Sequence, residues 1–423
     1  MNHEKYSVAI IGGGVAGIVS SFLLSKKHDV TLFEKNDYLG GHTNTIPIKS
    51  GPDAGLAVDT GFIVLNDRTY PNFHSFLKAV NVKVRKSDMS FGYYCENTNL
   101  QYAGTTLNGL FAQRKNLYSP AFYSLLSEIF KFNQRSKKAL ANEELEGVSV
   151  EEYLRNGNYS SYFISHYLVP MGAAIWSSSQ EGIQEFPAKT FLQFFLNHGL
   201  LSVPFTPQWQ TVEGGSNSYV KAFKQIFNGK IVLNSGVTGI SRTDSGVEVH
   251  RLGHVSERFD KVVIATHADQ AFKLLHDATP IEKKLLSPWQ YHKNKTVLHT
   301  DTRILPPTKR AWASWNYRRT QGESDKTSVY VSYHMNRLQG ITSKDEYIVS
   351  LNARSPIDQN KVIYEVLYEH PAFTLESIST QPELSKLNGT NNTYFAGSYF
   401  GYGFHEDAVK SAVEVSKRFG IEL

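Results

Sequence analysis

Val8-Ala9-Ile10-Ile11-Gly12-Gly13-Gly14-Val15-Ala16-Gly17-Ile18-Val19 is the stretch that decides the fold of this 423-residue chain. Four apolar residues in a row suit a strand buried on both faces of a parallel sheet. Ile18, Val19, Phe22 and Leu23 then recur at the spacing of an amphipathic helix. The glycines between the two have separate tasks. Gly12 permits the tight turn, Gly14 lets backbone amides approach a pyrophosphate, and Gly17 lets helix and strand pack closely. Val15 and Ala16 open the helix whose first amides face that group. The next strand, Val30-Thr31-Leu32-Phe33, ends in Glu34, at the distance where an acid accepts hydrogen bonds from an adenosine ribose. Lys35 adjoins it. The segment reads as a dinucleotide site in an α/β domain of Rossmann type.

Working outward, two further segments look like parts of the same unit. Residues 212–270 hold Lys230-Ile231-Val232-Leu233 and the buried-strand run Lys261-Val262-Val263-Ile264-Ala265-Thr266. Residues 375–423 end in a helix expected over about Glu406 to Phe419. With residues 1–62 these form a discontinuous nucleotide domain. Residues 63–211, mainly helical in pattern, and 271–374, with strand-like pieces such as Thr327-Ser328-Val329-Tyr330-Val331, are expected to assemble into an α+β substrate or cap domain. A substrate site is then expected at the domain interface.

Composition narrows the function classes. The formal net charge of +5 is spread over many acids and bases, with no long basic run, so nucleic acid is not an expected partner. Cys95 is the sole cysteine, which excludes an internal disulfide, a cysteine zinc site, an iron–sulfur cluster and a redox dithiol. Redox chemistry has to come from a bound cofactor, and no metal site is expected. Neither a signal-peptide pattern nor a run of about 18 apolar residues occurs, so the expectation is a cytoplasmic protein, with peripheral attachment at the inner membrane face left open.

Three features separate FAD from NAD. Gly40-Gly41 follows Glu34 by six residues. Val58-Asp59-Thr60-Gly61 forms a second tight segment. Near the other end, Tyr394-Phe395-Ala396-Gly397-Ser398 leads through Gly401-Tyr402-Gly403-Phe404-His405-Glu406-Asp407 into the last helix, whose amides and dipole suit the charge on a reduced flavin.

On these residues the chain resembles the flavin-containing amine oxidase superfamily, with matching pieces along essentially its whole length. The strings Gly40-Gly41-His42-Thr43-Asn44-Thr45, Thr60-Gly61-Phe62-Ile63-Val64-Leu65-Asn66 and Gly401 to Asp407 are most similar to flavoproteins associated with cyclopropane-fatty-acid synthases. The resemblance implies FAD, a Rossmann-type (GR2) domain with a discontinuous cap, and oxidation by hydride removal. It also implies that Val237 contacts the adenine through its backbone. Glu213-Gly214-Gly215 would line the flavin side of the domain junction.

Departures from that pattern matter. His42 stands where amine oxidases have a phosphate-facing arginine, Gly397-Ser398 replaces a Gly-Asp, and Phe404 replaces the second tyrosine of an aromatic cage. The absence of a Gly-Gly-Cys-Tyr segment excludes a cysteinyl flavin, so FAD is expected to be non-covalent. No second nucleotide fingerprint is visible, so electrons are expected to enter from the substrate.

Several residues carry two readings. His405 is a satisfied structural group or a proton acceptor. His42 faces phosphate, packs, or acts as a base. Lys295 is a solvated surface lysine or the counterpart of the lysine that amine oxidases hold by flavin N5. Trp312, Trp315, Asn316, Tyr317, Tyr333, Asn336 and Gln339, with the runs 191–196 and 200–205, are core or the walls and polar clamps of a substrate cavity. Phe122, Leu125, Leu126, Ile129 and Phe130, followed by Lys131, Arg135, Lys137 and Lys138, form a cap helix or one that lies on an anionic membrane. The expected activity is FAD-dependent oxidation or desaturation of a methyl-branched or cyclopropane-type acyl lipid. The alternatives are an amine or porphyrinogen-type oxidase and a flavoprotein that supports a lipid methyltransferase.

Overall fold

A computed structural model describes residues 4–104, 106–176, 180–201, 207–320 and 330–423. The strands used below are β1 (Ser7–Ile11), β2 (Asp29–Phe33), β3 (Phe91–Cys95), β4 (Leu100–Ala103), β5 (Lys230–Val232), β6 (Lys261–Ile264), β7 (Gln290–His299), β8 (Trp315–Arg319), β9 (Val331–His334), β10 (Ile348–Leu351), β11 (Val362–Ala372) and β12 (Thr393–Phe395). The helices are α1 (Val15–Leu24), α2 (Pro71–Ala79), α3 (Pro120–Ala141), α4 (Ala188–Asn197), α5 (Asn217–Ile226) and α6 (His405–Lys417).

The first sheet is parallel, in the order β5-β2-β1-β6-β12. Val8 pairs with Lys261 and Val30, and Ile11 with Ile264 and Phe33. Strand parity splits the residues between two cores. Val8, Ile10, Val30, Leu32 and Val263 pack with α1 and α6. Ala9, Ile11, Phe33, Val262 and Ile264 face the other way, toward Ile240, Val247 and Val249 of a three-stranded antiparallel meander. Both faces are covered, which is why these strands read as unbroken apolar runs.

The second sheet is mixed and seven-stranded, in the order β11-β7-β10-β9-β8-β3-β4. It joins the two intervening stretches of chain: β8, from the later one, pairs in parallel with β3, from the earlier one, Trp315 opposite Phe91. Residues 63–211 are thus mostly helix but also supply the β3–β4 hairpin, which the sequence reading did not separate out. The strand-like piece expected over 327–331 lies mainly outside the described residues; β9 begins at its last residue, Val331. No helix among the described residues is long and apolar enough to cross a membrane.

Candidate flavin and substrate site

The glycine turn sits at the C-terminal ends of β1 and β6, where ligands of open α/β sheets bind. Gly12 holds φ +105°, open to glycine and strained for other residues. Glu34 is buried at the end of β2. Its carboxylate accepts from the Gly13 amide at 2.7 Å and the Asn36 amide at 2.9 Å. A carboxylate has about four acceptor positions, so room is left for two ribose hydroxyls. The Gly40 amide donates to the Gly13 carbonyl at 2.8 Å, which brings Gly40-Gly41 against the turn. A Cβ on Gly14 would meet no heavy atom within 4 Å, and one on Gly41 would lie 3.4 Å from the Gly14 Cα. A cradle is left open between two backbones, opposite the N-terminus of α1, and its residues fit a dinucleotide diphosphate. Val15 and Ala16 are buried in the first turn of α1, and Lys35 is exposed at the rim. Val237 starts the meander, just past the Ser235 amide that donates to the Glu34 carbonyl at 2.8 Å.

His42, Thr43, Thr60 and Gly61 continue from the cradle. The His42 ring stacks on Tyr368 of β11 at 4.9 Å, and its Nε2 donates to the Glu369 carbonyl at 3.1 Å. The Tyr368 hydroxyl also bonds Thr60 Oγ1 at 2.9 Å and Asn44 Nδ2 at 3.0 Å. Gly61 needs to be glycine for close approach, because a Cβ there would collide with the His42 carbonyl oxygen. Asp59, just before, is fully buried and ties together residues from distant stretches of the chain. Its oxygens take Thr45 Oγ1 at 2.5 Å, Ser216 Oγ at 2.8 Å, the Ser216 amide at 2.9 Å and Gln339 Nε2 at 3.0 Å. Burial pushes the Asp59 carboxyl up to about 6, against the pull of these donors.

At the other end of the site, the Gly397 amide donates to Ser411 Oγ of α6 at 2.9 Å, and Ser398 opens a 3-10 turn. The Phe404 amide donates to Asp407 Oδ2 at 2.9 Å, capping α6. The carboxylate of Glu406 reaches away, to the amides of Asn72 at 3.0 Å and Phe73 at 2.9 Å, and so caps the N-terminus of α2. The run His405-Glu406-Asp407 thus contains two caps, a role the sequence reading missed.

Phe404 and His405 face opposite surroundings. The His405 ring stacks on Phe62 at 3.8 Å, meets the edge of Phe73 at 5.0 Å, and its Nε2 bonds the Tyr219 hydroxyl at 2.9 Å. That hydroxyl also makes a short contact with Thr43 Oγ1. Burial, with the nearby His42 adding to it, pushes the His405 imidazole down to about 3. A neutral imidazole already bonded to a phenol is a structural group and a poor base at neutral pH, which corrects the reading of His405 as proton acceptor. Phe404 instead stacks on Phe194 of α4 at 4.7 Å, with His198 5.9 Å away, and Phe194 also meets Tyr402 at 6.0 Å and Trp176 at 4.8 Å.

Lys295 is placed outside this cluster. Strand parity sets it beside Leu367 and Glu365 on the outer face of the β7–β11 pair; its side chain is 61% exposed and pairs with Glu365 at 3.0 Å. The inner face carries Asn294, Tyr368 and His370 instead. The amides expected to clamp a polar head are also spent: Asn316 on the backbone of Ala313, Asn336 on the Tyr347 amide and Asp345 carbonyl, Gln339 on Asp59. Phe191, Leu192, Phe194 and Phe195 are buried core, Leu200 is half-buried and Leu201 buried, and residues 202–206 lie outside the described part. His267 and His370, which the sequence reading did not select, stand with His42. His267 had a signal, since it follows β6 at the ligand-binding edge of the sheet; His370 had none until β11 was in register.

Comparison with known proteins agrees with this geometry. The profile of the family described as flavin containing amine oxidoreductase matches residues 15–350. An L-amino-acid oxidase of Siganus canaliculatus is 25% identical over 349 residues, 77% of this chain and 61% of that protein, so the match spans less than two thirds of the relative's length. Among solved structures, a CLA-producing fatty acid isomerase from P. acnes superposes with TM-score 0.69 at 15% identity, covering 97% of this chain and 98% of that one. A cyclohexylamine oxidase from Brevibacterium oxydans gives TM-score 0.68 at 14% identity, with 99% and 100% covered. Both likenesses are of fold.

Proposed function

The chain belongs to the flavin-containing amine oxidoreductase family, with FAD as its cofactor, and from that premise we propose that it oxidises or desaturates an apolar acyl chain. The observation that carries the reading is the Phe404–Phe194 stack at the N-terminus of α6. A protonated amine is held by π-faces and must lose its proton before hydride can leave. Family members that oxidise amines place the second tyrosine of an aromatic cage where this chain has Phe404, and the segment that would bring the other ring is missing. Phe404, half-buried, is instead backed by the buried rings of Phe194 and Trp176, and an apolar wall of this kind at the N-terminus of α6 suits a hydrocarbon. A fold shared with a fatty acid isomerase is compatible with such a substrate.

The residues divide the work. Gly14 and the first turn of α1 receive the diphosphate, Glu34 the ribose, and the N-terminus of α6 offers amides and a positive dipole end to negative charge on the reduced ring. Bound FAD supplies the two-electron acceptor. Desaturation takes two hydrogens from adjacent carbons, one as hydride to the flavin and one as a proton that passes to solvent, and molecular oxygen, reduced to hydrogen peroxide, is the simplest terminal acceptor. Anaerobic stopped-flow mixing tests the reading: methyl-branched or cyclopropane-type acyl lipids are expected to bleach the flavin, and primary amines and L-amino acids are not. Rapid bleaching by an amine or amino acid, with none by any acyl lipid, would reverse it. Bleaching only when a lipid methyltransferase is added would make the protein that enzyme's accessory.

We also propose that the substrate is met at an anionic phospholipid surface. Leu117, Tyr118, Tyr123 and Phe130 are exposed, Tyr118 by 87% and Phe130 by 67%. Tyr123 and Phe130 lie two turns apart on one face of α3, and the Tyr123 hydroxyl donates to the Leu117 carbonyl at 3.1 Å. From Asn97 to Ser127 the chain has no Asp or Glu, while Arg114 and Lys115 supply positive charge, so the patch is both apolar and basic.

A further inference from the structure

Three imidazoles meet on the flank of the diphosphate cradle, where His42 directly follows Gly41 and His267 directly follows Thr266, whose Cγ2 packs on Gly12. His42 follows Gly40-Gly41, His267 follows β6, and His370 lies on β11. The His42 ring is 6.1 Å from that of His267 and 5.3 Å from that of His370. Neighbouring hydrogen bonds settle where the protons of His370 and His42 are. Asn352 Nδ2 donates to Asn294 Oδ1 at 2.6 Å, so Asn294 Nδ2 donates to His370 Nδ1 at 2.7 Å, and neutral His370 carries its proton on Nε2. His42 Nε2 faces the Glu369 carbonyl, which only accepts, so neutral His42 has a bare Nδ1. An anionic oxygen can bond that nitrogen only after it gains a proton.

Burial pushes all three rings down, His267 and His370 to about 3, and each ring's charge would oppose the others'. The charged groups around them are mixed. Lys35 and Asp269 face His267, Glu369 Oε2 lies 3.6 Å from His267 Nδ1, His292 faces His370 and His405 faces His42. The phenols of Tyr291 and Tyr368 stack on His267 and His42, at 4.2 and 4.9 Å. Among the described residues no set of three such groups is arranged to hold a metal ion.

We propose that His42, with His267 beside it, grips the cofactor's diphosphate by recruiting a proton, in place of a fixed cation, so that FAD is held more tightly as the pH falls. The inference rests on the FAD reading. A dianion beside a half-buried imidazole favours its protonated form, so binding raises the ring's proton affinity. Between the low value of the empty site and the raised value of the filled one, each proton taken up with FAD changes its dissociation constant about tenfold per pH unit. Above that window the dependence vanishes. The direction is diagnostic, because acid unfolding would release flavin instead.

The test follows free-FAD fluorescence after dilution of the holoenzyme. From about pH 8.5 to about pH 5.5 the wild-type dissociation constant is expected to fall at least about tenfold. His42→Gln keeps a donor to the Glu369 carbonyl but cannot take up the proton, and it should flatten the slope; His267→Gln should do so in smaller measure, and His370→Gln, whose Nδ1 already accepts from Asn294, should leave the slope standing. His42→Arg should hold FAD tightly at every pH. Firm binding with equal dissociation constants across the range, or a slope that survives both His42→Gln and His267→Gln, would overturn the inference and leave FAD as cofactor. No FAD at any pH would overturn both.

Discussion

A side chain on Gly14 and one on Gly17 meet different surroundings. The Gly14 Cβ position touches no protein atom within 4 Å, whereas a Cβ on Gly17 would collide with the Gly12 carbonyl oxygen. Gly14→Val should therefore fold with an unchanged circular dichroism spectrum and melting temperature in the flavin-free state, yet be purified colourless. Gly17→Val should fail at the earlier step, giving insoluble protein; a yellow, soluble Gly17→Val would contradict the close packing of α1 on β1. These roles were legible in the sequence, because the glycine spacing and the acid at Glu34 depend only on local geometry. The roles of Asp59, Glu406 and Asp407 were not. Each carboxylate acts through donors that are assembled by folding, and a lone acid in a string announces no partner.

Helices α2 and α6 form a unit because one supplies the other's cap. Glu406 satisfies two amides at the start of α2, and α2 carries Phe73, on whose ring edge His405 rests. Glu406→Ala would leave those amides in a buried setting and is expected to cost about 2–3 kcal/mol. Glu406→Gln, which keeps one acceptor, should cost about half as much, both read from thermal melting of the holoenzyme. Equal melting temperatures for wild type and Glu406→Ala would mean that water replaces the cap. At this scale the apolar strands and the last helix were readable from periodicity. The place of the β3–β4 hairpin in the sheet and the inner-face placement of His370 were not, since both depend on pairing between residues distant in the chain, Trp315 with Phe91 and His292 with His370.

For the molecule as a whole, an apolar and basic patch on one side of the helical layer predicts a lipid-dependent distribution. The protein should sediment with vesicles that contain anionic phospholipid and stay in solution with purely zwitterionic ones. Phe130→Ser and Tyr118→Ser should each weaken that partition about tenfold, the expected loss for one ring withdrawn from an apolar phase. Sedimentation that ignores both substitutions would remove the patch from the account. The order of the parallel sheet has a further consequence for synthesis. Its central strand β1 begins at Ser7, while the edge strand β12 begins at Thr393 and α6 follows it. A ribosome therefore delivers the glycine cradle early and the Phe404 wall late. A nascent chain holds half a nucleotide pocket until β12 and α6 emerge, and the cofactor can be enclosed only after they do.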